Sequence, residues 1–148
     1  MRFYFLLIML HSFFLTFGQI DSSIIKICVE LEDQTINDKE GIEGKLYITN
    51  KSSKSLKLPK VFDLGYILID DKGKSVPYKK DAIYEYANKI FLLKRKVKPG
   101  ETITVNFTED RLLYENDVLK GNKYRIIYFL VHNNISRQIK SNSIELKY

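Results

Sequence analysis

The chain has 148 residues, 45% of them hydrophobic and 28% charged, which supports one ordinary domain and excludes a disordered or low-complexity chain. Its formal net charge of +6 is a mild excess that suits anionic surfaces but equally describes lysines solvating an outer face. A single cysteine excludes an internal disulfide framework, so stability must come from packing.

Residues 1–19 carry one positive charge, Arg2, and then an almost unbroken apolar run from Phe3 to Phe17, followed by the small Gly18. That pattern predicts a secretory signal peptide, because the run is shorter than the roughly 20 residues a spanning helix needs. Its removal takes away one basic residue and no acid, so +6 becomes +5 for the exported chain of residues 20–148. The expected location is secreted or periplasmic, with no stable membrane insertion after cleavage.

Residues 23–31 alternate, with Ile25, Ile27, Val29 and Leu31 on one side and Lys26, Cys28 and Glu30 on the other. Period two predicts a half-buried strand. Residues 32–41 are polar and end in Gly41, which predicts a loop, and 42–50 alternate again, with Ile42, Gly44, Leu46 and Ile48 sharing a face. Residues 55–59 predict a short edge strand ending at Pro59, which cannot donate to a ladder. Residues 64–70 are apolar on both faces, and Asp70 to Lys74 supplies the Asp and Gly of a tight hairpin turn leading to a partner at 75–78.

Residues 81–93 fit helical spacing at Ile83, Tyr86, Ala87 and Ile90, so a short helical turn is expected at 82–87 and a strand near 89–95. After the Pro99-Gly100 turn, Ile103, Val105 and Phe107 alternate inward over 102–107, and 111–115 predicts one helical turn over the end of the core. Residues 123–132, crowded with Tyr, Ile, Phe and Val, predict a central strand. The Asn- and Ser-rich segment 133–142 then predicts a turn into a last strand at 143–148. Eight or nine short strands without a long helix, a repeat or a linker predict an all-β, antiparallel two-sheet immunoglobulin-like sandwich with one or two short helical turns over 20–148.

The landmarks at residues 46–53, 66–74, 97–102 and 120–127 resemble small secreted bacterial immunoglobulin-like domains and, more loosely, BsuPI-like proteinase inhibitor domains. Across residues 42–132 the resemblance implies a sandwich and, as a possible role, protease inhibition through loops at one end. The Trp residues that often accompany the inhibitor pattern are absent.

The catalytic inventory is sparse. Outside the leader, Cys28 and His132 are the one pair that a thiolate mechanism would use, and one Cys with one His is too few for a tetrahedral zinc site. Asp33, Asp38, Glu40 and Glu43 match no defined calcium loop, and the adjacent acids Asp70-Asp71 and Glu109-Asp110 point to opposite faces if each pair lies in a strand. No catalytic or metal residue is therefore assigned, and no cofactor is expected. The expected function is a secreted, non-enzymatic binding module for a protein or glycan, not nucleic acid. Candidate contact residues are Tyr78, Tyr84 and Tyr86 and the basic run Lys94 to Lys98, which Lys51, Lys54, Lys57 and Lys60 would extend if they share its face. Asn50, Asn106 and Asn134 begin glycosylation-acceptor patterns that an Asn-rich chain also produces by chance.

Overall fold

The structure is a computed structural model, described here for residues 19–35, 42–76, 88–109 and 123–147. Alternating side chains give each strand one face that water disfavours, and pairing puts those faces together. The strands are β1 (Ile25–Leu31), β2 (Ile42–Asn50), β3 (Leu56–Lys57), β4 (Val61–Ile69), β5 (Asn88–Phe91), β6 (Lys96–Val97), β7 (Thr102–Glu109), β8 (Lys123–Val131) and β9 (Ile139–Lys147). They form two main antiparallel sheets, β1-β2-β7 and β5-β4-β8-β9, with β3 and β6 paired as a short ribbon.

One core joins both main sheets. Val29 and Leu46 are register partners in the first sheet, and Tyr66 faces Tyr128 in the second; all four are buried. Phe107 crosses between the sheets to meet the Tyr128 ring edge-on at 5.1 Å. Gly44 lies where any side chain would collide, because a Cβ there would come within 2.8 Å of both the Glu30 carbonyl oxygen and the Phe107 ring. It belongs to the inward row with Ile42, Leu46 and Ile48 because the neighbouring strand and ring need its space.

The two outer seams between the sheets are closed by asparagine side chains. On one side the Asn142 amide accepts from Val29 N–H at 2.7 Å and donates to Val29 C=O at 3.0 Å, imitating a ladder pair between β9 and β1. On the other, Asn88 Nδ2 at the start of β5 donates to the Thr108 carbonyl at 3.0 Å and to the Glu109 carboxylate at 2.8 Å on β7.

The structure departs from the pattern at three places. The segment 133–142, expected to be all turn, already re-enters the sheet at Ile139, and the register shifts between Ile127 and Phe129. Ser141 and Asn142 form the extra length of a bulge: Tyr128 N–H donates to Ser141 Oγ at 3.0 Å, while Asn142 reaches β1. Side chains that form turns by hydrogen-bonding backbone serve a bulge equally well. Secondly, the expected strand near 89–95 is split. β5 ends at Phe91, and two residues, Leu93 and Lys94, stand against the single Pro59 before the chain resumes at β6 against β3. Thirdly, of the expected partner strand 75–78, Ser75 makes one bridge to Ile69 and Val76 N–H donates to Leu68 C=O, while 77 and 78 lie outside the described residues. The Asp70–Lys74 turn is present, with Gly73 at φ +79°. A short 3-10 turn occupies Ser22–Ile24, and the helical turns expected at 82–87 and 111–115 lie outside the described residues.

The Asn142 bridge predicts that Asn142→Ala, which orphans the Val29 N–H and C=O, lowers unfolding free energy by about 1–3 kcal/mol. Urea midpoints at constant m-value test this, and an unchanged midpoint would show that the seam does not depend on the amide.

Candidate functional site

Pairing brings two basic stretches together. Val61 faces Phe91, Leu92 N–H donates to Lys60 C=O at 2.9 Å, Leu58 N–H donates to Arg95 C=O at 2.8 Å, and Lys57 faces Lys96. Residues 56–62 and 90–97 are thus one kinked antiparallel ribbon. Lys57, Lys60, Lys94, Arg95 and Lys96 lie exposed on it, and neither stretch contains a carboxylate. Lys57 and Lys96 sit directly opposite each other, an arrangement that destabilises a ladder and favours an anion between them.

Two large apolar side chains stand among these cations. Phe91 is 58% exposed, and Leu93, in the bulge opposite Pro59, is 104% exposed, so it touches little of its own protein. Buried Leu58, Leu92 and Val97 hold the other side of the ribbon in the core. Among the described residues, Asp63 lies opposite Lys89 one step along β4 and Glu101 pairs with Lys94.

Both ends of the 88–97 stretch are fastened. Asn88 is tied to β7, and at the far end the buried Asn50 donates from Nδ2 to Val97 C=O at 3.0 Å and to Lys54 C=O at 2.8 Å. Asn50 Oδ1 also accepts from Ser52 N–H and Oγ at 2.9 and 2.7 Å. This acceptor-pattern asparagine is therefore a buried, fully bonded anchor, with no room for a glycan in the folded chain. Beside the first anchor a cleft of about 310 Å³ runs between β5 and β7, lined by Asn88, Ile90, Phe91, Val105, Phe107 and Thr108 among others.

The remaining candidates stay apart. Cys28 is half-buried on β1 opposite Tyr47. His132 follows β8 in the other sheet, its ring edge-on to Phe62 at 5.7 Å and its Nδ1 accepting from Asn134 N–H at 2.9 Å. No hydrogen bond joins the pair. Asp33 Oδ1 accepts from Thr35 N–H and Asp70 Oδ1 from Lys74 N–H, each at 2.7 Å, so both shape local turns. Glu43 lies exposed on β2, and no group of metal-ligating side chains occurs among the described residues. Asp38, Glu40, Tyr78, Tyr84, Tyr86 and Asp110 lie outside them. Lys51 and Lys54 belong to the turn that Asn50 and Ser52 organise, not to the ribbon ladder.

Two polar groups are buried where the sequence pattern did not mark burial. Glu109 is 5% exposed and accepts from Asn88. Tyr128 is wholly buried, and its hydroxyl has no hydrogen-bond partner among the described residues. Burial foremost, and then the Glu109 charge, push its ionisation far above the ordinary range for tyrosine. In the sequence Tyr128 is one of several ring-bearing residues of the central strand expected at 123–132.

No protein-family model matches the chain, and no curated protein matches it. Among solved structures it is similar to the sporulation control protein Spo0M of Bacillus subtilis, with a TM-score of 0.49 and 12% identity over 84% of this chain and 49% of that one. The match thus spans about half the length of that protein. It is also similar to the structural-genomics target SoR45, with a TM-score of 0.32 and 13% identity over 83% of this chain and 84% of that one.

Two outcomes follow from this geometry. Removing the Tyr128 hydroxyl in Tyr128→Phe should leave stability unchanged or raise it by up to about 1 kcal/mol, and a loss larger than that in urea titration would reveal a hydrogen bond to the hydroxyl. The Glu101 carboxylate is held below the usual carboxylate range by the Lys94 hydrogen bond first and by Lys98 N–H second. A lowered folded-state value means the tie contributes in full above the ordinary 4.5 and is lost as pH falls through the folded-state value. Glu101→Gln should therefore flatten part of the acid-side fall in stability, read as urea midpoints between about pH 6 and about pH 3.

Proposed function

We propose that the chain is a secreted, non-enzymatic immunoglobulin-like module that binds an anionic partner through the basic ribbon. The observation that carries this reading is the juxtaposition of Lys57 and Lys60 with Lys94, Arg95 and Lys96, a concentration of positive charge that strand pairing builds from two separate stretches. The strand order β1-β2-β7 opposite β5-β4-β8-β9, with β2 beside β7 and β4 beside β8, supports the immunoglobulin-like type. The apolar leader at 3–17 supports export. Separation of Cys28 and His132 onto different sheets, with the His132 Nδ1 already engaged, favours binding over thiol catalysis.

Retention on a heparin column tests the reading, with two variants that change net charge equally. Lys57→Glu with Lys96→Glu should elute at clearly lower salt than Lys72→Glu with Lys74→Glu, whose positions lie at the other end of β4. Equal elution would mean that overall charge, and not the ribbon, governs binding.

A further inference from the structure

We propose that this ribbon docks on the surface of an anionic lipid bilayer, with Leu93 and Phe91 entering the headgroup region while the surrounding Lys and Arg side chains meet lipid phosphates. The inference rests on the ribbon being the binding surface and adds what it binds.

Two independent features select a bilayer among anionic partners. The first is charge: five cations lie on one short ribbon with no carboxylate of its own, four of them besides Lys94 with its Glu101 partner, and the cross-strand neighbours Lys57 and Lys96 repel each other until an anion arrives. A surface potential of the kind phosphatidylglycerol or phosphatidylserine creates attracts such a cluster, and each Lys or Arg near it adds about five-fold to the affinity. The second is the pair of apolar side chains at its centre. An acidic polysaccharide or a free phosphate offers nothing apolar for Leu93 and Phe91 to contact, whereas the boundary between headgroups and acyl chains does.

Local construction agrees. Leu93 projects because it lies in the one-residue excess between the Leu92–Lys60 and Arg95–Leu58 bonds, and Leu92 before it and Val97 at the far end of the stretch are buried, so the exposed residue stands on an anchored base. Arg95 Nε donates to Leu58 C=O at 2.9 Å, which fixes one cation across the kink. Half-exposed Val61, the register partner of Phe91, widens the apolar centre. A rigid protein partner would need a pocket matched to Leu93, while a fluid interface accepts it without one. The depth reached by two side chains implies a peripheral, reversible attachment, in keeping with a chain in which no described helix is long and apolar enough to cross a membrane.

Co-sedimentation with vesicles tests the proposal, using protein expressed from the full chain, purified, and shown by mass spectrometry to have the same N-terminus in every variant. Vesicles of phosphatidylcholine with about 30 mol% phosphatidylglycerol should bind the protein, and vesicles of phosphatidylcholine alone should not. Lys57→Glu with Lys96→Glu, and separately Phe91→Ser with Leu93→Ser, should each weaken binding by about tenfold or more, because one set removes the charge and the other the apolar contact. All four positions are exposed, so unchanged urea midpoints will show that the fold is intact. The chain contains no Trp, so Leu93→Trp supplies a single reporter whose emission should shift to the blue on phosphatidylglycerol vesicles. Equal binding to both vesicle types, full binding by the Phe91→Ser, Leu93→Ser protein, or an unshifted Leu93→Trp emission would overturn the lipid assignment. If heparin retention still depends on Lys57 and Lys96 while these vesicles do not bind, the ribbon remains the binding surface and only the bilayer is wrong. Loss of both would remove the ribbon itself.

Discussion

The arrangement depends on one extra residue that the 90–97 stretch carries where it pairs with 56–62. β4 and β5 run together as far as Val61 and Phe91, and the bonds continue from Leu92 N–H to Lys60 C=O and from Leu58 N–H to Arg95 C=O, which sets Leu93 and Lys94 against the single Pro59. The chain opposite therefore bulges outward at Leu93 and Lys94 and re-pairs through Arg95 and Lys96 with the stretch before the proline. The kink decides which side chains face the core and which face water. Leu92 and Val97 go in, and Leu93, Lys94 and Lys96 go out.

That kink would be loose without the asparagines at its two ends. Asn88 holds the start of β5 to β7, and Asn50 holds the end of β6 to the turn that follows β2. A third asparagine, Asn142, closes the opposite seam. At each of these places two strands approach without a regular ladder, and a side-chain amide supplies the donor, the acceptor or both. An amide suits this work because it carries both functions on one short stem, where a carboxylate could only accept and an alanine could do neither.

Much of the fold was legible because alternation is a direct imprint of one-sided burial: 42–50 became β2 with its stated ends, and Ile25, Ile27 and Val29 turned inward. The seams were not legible. Asn142 sits in a stretch whose Asn and Ser content signals a turn, and nothing in that stretch tells a turn from a bulge, since both use the same side-chain to backbone bonds. The pairing of Lys57 with Lys96 was equally hidden. It depends on the register between two strands far apart in the chain, and each two-residue strand is too short to show a period. Buried Tyr128 and Glu109 escaped for a related reason: the phase of a strand says that a residue points inward but not which polar group it will meet there.

The exposed centre of the ribbon gains meaning from how firmly its edges are held. A side chain on a mobile loop must lose conformational freedom before it can contribute to binding, and that loss offsets much of what contact provides. Leu93 stands instead on a segment whose flanking residues are buried and whose ends are hydrogen-bonded into the sandwich, so little ordering remains to be done when a partner arrives. The same rigidity keeps Lys57 and Lys96 opposed in the free protein, where flexible strands would let them move apart. Repulsion held in place in this way is relieved by an anion between the two ammonium groups, so the free state is disfavoured and the bound state gains by comparison. Charge alone would leave the ribbon indifferent to which anion it met; in the proposed docking, the leucine and phenylalanine set among the lysines narrow the choice to one with an apolar side.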